Sequence, residues 1–147
     1  MSETTFTTTN AEETMALAKQ FAETIEPGTV IQLSGDLGAG KTTFTKGFAR
    51  GLGITADITS PTFTLMNLYA VPGAPRGITE FVHMDAYRLE NNEEYIALGA
   101  EDYIGAPHTV SIVEWAEKIP LIASLTKSIQ ITITALPSNE RQIAVHR

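Results

Sequence analysis

Cysteine is missing from all 147 residues. That excludes disulfides, Cys-ligated zinc and thiol catalysis, and it fits a reducing cytoplasm. Long apolar runs are missing too: no stretch of 18 apolar residues occurs, so no membrane-spanning helix is expected. The first residues, Met1-Ser2-Glu3-Thr4-Thr5-Phe6, have neither the basic start nor the apolar core of a secretory signal. Positive charge is scarce. Ten Lys and Arg face 17 Asp and Glu, for a net charge of −7, and the ten are dispersed along the chain. Non-specific nucleic-acid binding comes from neutralising phosphates with Lys and Arg, so the chain is not expected to hold RNA by itself. The N-K-x-D guanine signature is absent, and the D-x-x-G of Asp102-Tyr103-Ile104-Gly105 lies far from where a GTPase switch would need it, which disfavours a GTPase.

What is present is enough for a core. The length suits one domain over residues 1–147, and 43% hydrophobic with 18% charged residues is ordinary for a globular protein. The most informative stretch is Gly35-Asp36-Leu37-Gly38-Ala39-Gly40-Lys41-Thr42, which fits G-x-x-x-x-G-K-[ST] without departure. Glycines let the backbone turn its N–H groups inward around anionic oxygens, Lys41 can reach the β- and γ-phosphates, and Thr42 can offer its hydroxyl to Mg²⁺. At background residue usage a chain of this length matches by chance about one time in two hundred. The context makes chance rarer: apolar Val30-Ile31-Gln32-Leu33 precedes the loop as a buried strand would, and Thr43 to Ala49 follows with helical spacing.

Around this unit the pattern predicts further elements. Thr4 to Thr9 reads as a short strand. Thr9-x-x-Glu12 and Asn10-x-x-Glu13 are both N-cap patterns for a helix from about Ala11 to Thr24, with Ala16, Leu17, Phe21 and Ile25 on its inner face. The pattern reads first as an ordinary amphipathic surface helix, with the residues just before it a candidate contact for a nucleotide base. Phe63 to Tyr69 and Ile78 to Met84 alternate about the turn Val71 to Gly77 and read as a hairpin. Glu93 to Gly99 reads as a short helix, Thr109 to Val113 as a central strand, and Ala116 to Ile119 as a helical turn stopped by Pro120. Ser128 to Ala135 and Gln142 to His146 form a second hairpin about Pro137-Ser138-Asn139-Glu140. The sum is an α/β, P-loop NTPase-like three-layer sandwich: a mixed sheet, parallel at its centre with antiparallel additions.

Asp85 and Glu114 each close a predicted strand. Ligands in such sheets collect at the strands' carboxyl ends, so each acid is a candidate metal ligand or water-orienting group. Asp36, inside the loop, is a candidate for positioning a catalytic water or bracing the loop. Thr59-Ser60-Pro61-Thr62 lies where nucleotide-sensing switches occur. Trp115 reads as a half-buried aromatic flanking the site, and His83 and His108 as structural. Between the P-loop and Glu114 the chain supplies Arg50, Arg76 and Arg88. None is obviously placed to complete the site, and a small-molecule or nucleotide kinase would need arginines in a lid. A nucleotide-gated binding module with incidental hydrolysis is the remaining alternative.

These blocks together resemble the TsaE family, small bacterial P-loop ATPases of tRNA threonylcarbamoyladenosine biosynthesis. The match runs through Leu33 to Phe44, Gly47 to Gly53, Ser60 to Leu65, His83 to Leu89 and Ile112 to Lys118. The resemblance implies a cytoplasmic ATPase that binds TsaB- and TsaD-type proteins, meets tRNA only through that complex, and supports repeated synthesis without transferring the threonylcarbamoyl group. It implies ATP/ADP and Mg²⁺ as ligands. Gly38, Ala39, Gly40, Lys41, Thr42 and Thr43 would hold the phosphates, and Thr42 and Glu114 the metal. Asp85 would be the Walker-B-like acid, Ser60-Pro61-Thr62-Phe63 switch I, and Thr9, Asn10 and Ala11 part of the base site. The tail that includes Arg141 lies outside the matching blocks.

Overall fold

A threonine-rich strand, β1 (Glu3–Thr8), leads into helix α1 (Ala11–Thr24). The computed structural model describes residues 2–36, 38–61 and 64–147. Of the two predicted caps, Asn10 takes the role: its Oδ1 accepts from the Glu13 N–H at 2.8 Å. Glu13 Oε1 reaches back to accept from the Thr9 N–H at 2.7 Å and its hydroxyl at 2.8 Å. The end of β1 is tied to the helix by a buried Thr8–Thr14 hydroxyl contact of 2.7 Å. α1 buries Thr14, Ala18 and Ala22, while Ala16 is exposed, contrary to the expected face.

The reason lies in the next unit, β2 (Val30–Gly35), the P-loop and α2 (Lys41–Gly51). A Cβ on Gly47 would fall on the Met15 carbonyl oxygen and 2.6 Å from Met15 Cα, and one on Gly51 would lie 2.6 Å from Lys19 O and Ala22 Cβ. The two helices therefore meet almost backbone to backbone, along a stripe of small residues on each. Gly47→Ala is expected to lower unfolding free energy by about 1–3 kcal/mol through overpacking. The check is the urea midpoint at unchanged slope; an unmoved midpoint would mean that the helices part freely.

The remaining elements are β3 (Met66–Ala70), β4 (Glu80–Asp85), α3 (Asn92–Ala97), β5 (Thr109–Glu114), α4 (Pro120–Ala123), β6 (Ser128–Ala135) and β7 (Arg141–His146). The expected turn is a 3-10 helix over Ala116–Lys118 that stops before Pro120, and Pro120 in turn begins α4, because the first helical position suits φ near −65° and can do without an N–H. α1 has no basic residue in its last turn; Arg76, from the β3–β4 connection, donates instead to Ala22 O (2.8 Å) and Ile25 O (2.9 Å).

Among the described residues seven strands form one sheet in the order β1-β7-β6-β2-β5-β4-β3. β2 pairs parallel with β5 and β6, and β4 with β5, whereas β1–β7, β6–β7 and β3–β4 are antiparallel. The P-loop, Asp85, Glu114 and the end of β1 thus emerge along one edge. The period-two alternation sorts side chains into two cores. Ile31, Leu33, Phe81 and Ile112 pack with Phe44 and Phe48 of α2, while Val82, Met84 and Val113 pack with Tyr95 of α3 and Ile122 of α4. This is the expected three-layer sandwich with a mixed sheet. Among the described residues no helix is long and apolar enough to cross a membrane.

Candidate nucleotide site

The P-loop bends because glycine permits it where other residues would not. Gly40, at φ +110°, sits at the N-terminus of α2, in a conformation that L side chains rarely adopt. At Gly35 a Cβ would lie 2.6 Å from the Ile133 carbonyl, so strand β6 requires a bare Cα there. Ala39 is buried beneath the loop, and its N–H donates to Asp36 O at 3.0 Å, which fixes the turn. Asp36 itself is exposed and lines the cleft.

The first turn of α2 differs from that of α1. No side chain caps it and no acidic residue lies within it, so its N–H groups keep their positive end toward the cleft. An anion is the natural complement there. The cleft, about 730 Å³, is lined by Gly35, Gly38, Gly40, Lys41, Thr42, Thr43 and Ser60, and by Asp85, Tyr87, Glu114 and Trp115 across from them. Thr62 and Phe63 of the expected switch lie outside the described residues, so of that segment Ser60 is placed at the cleft.

The acids differ in their surroundings. Asp85 is partly exposed, and its Oδ1 accepts from the Tyr87 N–H at 2.9 Å. Glu114 is buried: Oε1 lies 3.4 Å from Lys41 Nζ, and Oε2 accepts from His83 Nε2 at 3.1 Å. Burial pushes its carboxyl up, but the hydrogen bond and charge of His83, then those of Lys41, more than offset this and hold it below its ordinary value. His83 is not the partnerless structural residue that its sequence neighbours suggest. It lies on the adjacent strand, two positions before Asp85, which is opposite Glu114 in register, so the same face carries both side chains.

Trp115 follows Glu114 at φ +60°, an unusual conformation for a bulky residue, and it is 40% exposed. Its ring lies 5.2 Å from Tyr87 and 5.9 Å from Lys41 Nζ. Lys118 secures this wall, donating to Tyr87 O at 2.6 Å while lying over the Tyr87 ring.

A second hollow of about 370 Å³ shares Gly38, Gly40 and Thr43 with the cleft. Thr9, Asn10 and Ala11 line it. So do Asn139 and Arg141, to which the sequence pattern assigns no role. Arg141 Nη2 donates to Gly38 O at 3.4 Å. The signal lay in topology alone: β7 pairs with β1, Arg141 opposite Thr8, and this carries the start of β7 to the P-loop edge.

The donor set suits Mg²⁺. One hydroxyl and two carboxylates, with room for phosphate and water, is the kind of oxygen set this ion takes. Among the described residues no cluster of three or more His, Asp or Glu forms a self-sufficient metal cage.

A family model described as "Threonylcarbamoyl adenosine biosynthesis protein TsaE" matches residues 8–143. The chain belongs to the TsaE family. Among curated TsaE proteins, that of Bacillus subtilis is 45% identical over 140 residues, covering 92% of this chain and 80% of the relative. The Treponema pallidum TsaE protein is 36% identical over 137 residues, covering 92% and 95%. The crystal structure of Bacillus subtilis YdiB superimposes with a TM-score of 0.76 at 39% identity, covering 98% of this chain and 84% of that one. The TsaE match thus takes in the P-loop, both acids and Arg141.

Proposed function

We propose that this TsaE chain binds ATP with Mg²⁺ and hydrolyses it in support of tRNA N6-threonylcarbamoyladenosine synthesis, acting with TsaB- and TsaD-type partners in the cytoplasm. The observation that carries this reading is the convergence of an uncapped α2 N-terminus, Lys41, Asp85 and Glu114 on one cleft. tRNA would be met through the complex, since a net charge of −7 disfavours non-specific binding to a nucleic-acid backbone by this chain alone.

In this reading the amides of the loop and of the first turn of α2, with Lys41, stabilise charge on the β- and γ-phosphates. Thr42, Glu114 and Asp85 would hold Mg²⁺, which supplies charge neutralisation at the phosphates. Thr9, Asn10, Ala11 and Thr43 border the hollow that would take the nucleoside. The His83 and Lys41 contacts favour the charged form of Glu114, which suits charge and metal holding. Asp36 borders the same cleft without being one of the three groups Thr42, Glu114 and Asp85, and is a further candidate for orienting water.

The kinase alternative gains nothing from Arg50 or Arg76. Arg50 holds the carbonyls of Ile54 (2.7 Å) and Ala56 (3.2 Å), and Arg76 those of α1. No arginine lines the main cleft among the described residues. Hydrolysis by the isolated chain is therefore expected to be slow and to accelerate at least about tenfold with the partner pair, the usual scale when a missing group or ordered switch is supplied being larger still. Phosphate release with and without partners measures this. Equal rates would defeat the partner-assisted mechanism, and phosphate appearing on a metabolite would restore the kinase.

A further inference from the structure

We propose that His83 is a positioning residue for Glu114, fixing one carboxylate oxygen so that the other faces the nucleotide cleft. The inference rests on the reading of Glu114 as a cleft ligand and adds to it a residue that touches neither nucleotide nor metal. His83 is 2% exposed, and its Nε2 lies 3.1 Å from Glu114 Oε2. Oε1 is the atom that meets Lys41, at 3.4 Å. The two oxygens of Glu114 therefore have different duties: Oε2 is tied back into the sheet, and Oε1 alone is presented.

Three features separate this from a buried histidine that merely happens to find a partner. The first is the unpaired nitrogen: Nδ1 of His83 is buried and has no hydrogen-bond partner among the described residues. An orphan polar atom in the core costs free energy, and an apolar β-branched residue in this strand position would avoid it. The second is that the ring is buried within an aromatic cluster. It stacks on Phe81 at an interplanar angle of 7°, and Phe81 in turn packs against Phe48 and Tyr69. The third is closure of the chain of contacts. Phe48 belongs to α2, the helix that begins with Lys41, so Lys41, Glu114, His83, Phe81 and Phe48 form a ring of contacts returning to one helix. A carboxylate held in this way has its orientation set before any ligand arrives, which is how outer residues raise the affinity of a metal site.

The test uses the full chain, with the fluorescence of Trp115, its single tryptophan, reporting ATP binding at the cleft. Titrations are run in EDTA and at graded Mg²⁺ for the parent, His83→Leu, His83→Gln, His83→Asn and Glu114→Gln, with thermal unfolding alongside. His83→Leu is expected to bind ATP in EDTA within about twofold of the parent, while half-saturating Mg²⁺ rises about tenfold or more. His83→Gln, whose amide nitrogen occupies the Nε2 position, restores the parental Mg²⁺ response; His83→Asn, with its donor at the Nδ1 position, does not. This Gln/Asn contrast decides the matter even where the leucine variant fails to fold, because both amides carry the same polarity. A parental Mg²⁺ response in His83→Leu or His83→Asn, or a glutamine variant as impaired as asparagine, overturns the positioning role. If Glu114→Gln also leaves the Mg²⁺ response unchanged, the ligand reading of Glu114 itself fails; if only the His83 variants are silent, that reading stands and the positioning role alone falls.

Discussion

Replacing Glu114 with alanine is expected to lower the turnover of ATP in the partner complex by at least about a hundredfold, the lower end for loss of a positioned group in phosphoryl chemistry. ATP affinity in EDTA should be retained, because the loop amides and the first turn of α2 do not depend on this side chain. Affinity in the absence of metal can even rise, since the carboxylate lies against Lys41 and repels phosphate. The two effects point in opposite directions, which makes the variant informative. Steady-state hydrolysis gives the first and nucleotide titration the second. A variant that turns over normally would remove Glu114 from the site, and one that loses ATP binding in EDTA would mean that the loop needs the carboxylate for its shape.

The same carboxylate carries a pH dependence whose sign is fixed by its surroundings. Its pKa is held below the ordinary 4.5 despite burial, because His83 and Lys41 favour the charged form. A group with a depressed native pKa stabilises the fold fully above its unfolded value and loses that contribution as pH falls through the native one. Glu114 is therefore ionised throughout the neutral range, and its contribution to stability disappears only in acid.

Much of this architecture is local and so is readable in one dimension. The P-loop, the acids at strand ends and both hairpins arise from short patterns. Asp85 and Glu114 close their strands as expected, whereas the first strand of the first hairpin, expected from Phe63, begins at Met66, with Leu65 at φ +67° before it. Thr9, Asn10 and Ala11 line one hollow beside the P-loop. What escapes such a reading depends on pairs distant in sequence. His83 and Glu114 are 31 residues apart and meet because β4 and β5 run parallel in register. Arg141 reaches Gly38 across 103 residues because the last hairpin folds back on β1. Ala16 reads as a core residue because alanine is apolar, but the closeness of α1 and α2 is set by glycines on the other helix, which no pattern within α1 encodes. Pro120 and Trp115 show a related limit. Pro120 both closes one turn and starts the next helix, of which the pattern shows the first alone, and a tryptophan at φ +60° is a choice made by the surrounding fold.

Lys41→Ala is expected to weaken ATP binding by roughly ten- to a hundredfold, equivalent to about 1.5–3 kcal/mol for a hydrogen bond to a charged group. It should also reduce turnover more than affinity, since the ammonium opposes charge that grows as the γ-phosphate departs. The measured loss is a net quantity. In the structure Lys41 Nζ already faces Glu114 Oε1 at 3.4 Å, with both side chains largely shielded from water. Engaging phosphate means giving up part of that pairing, so the lysine's intrinsic attraction exceeds what the single variant reports. A double-mutant cycle with Glu114→Gln exposes the difference: the affinity lost on removing Lys41, measured in EDTA, should be larger in the Glu114→Gln background than in the parent. Equal losses in the two backgrounds would mean that Lys41 meets phosphate without leaving Glu114. A smaller loss would mean that the carboxylate helps to aim the lysine at its ligand.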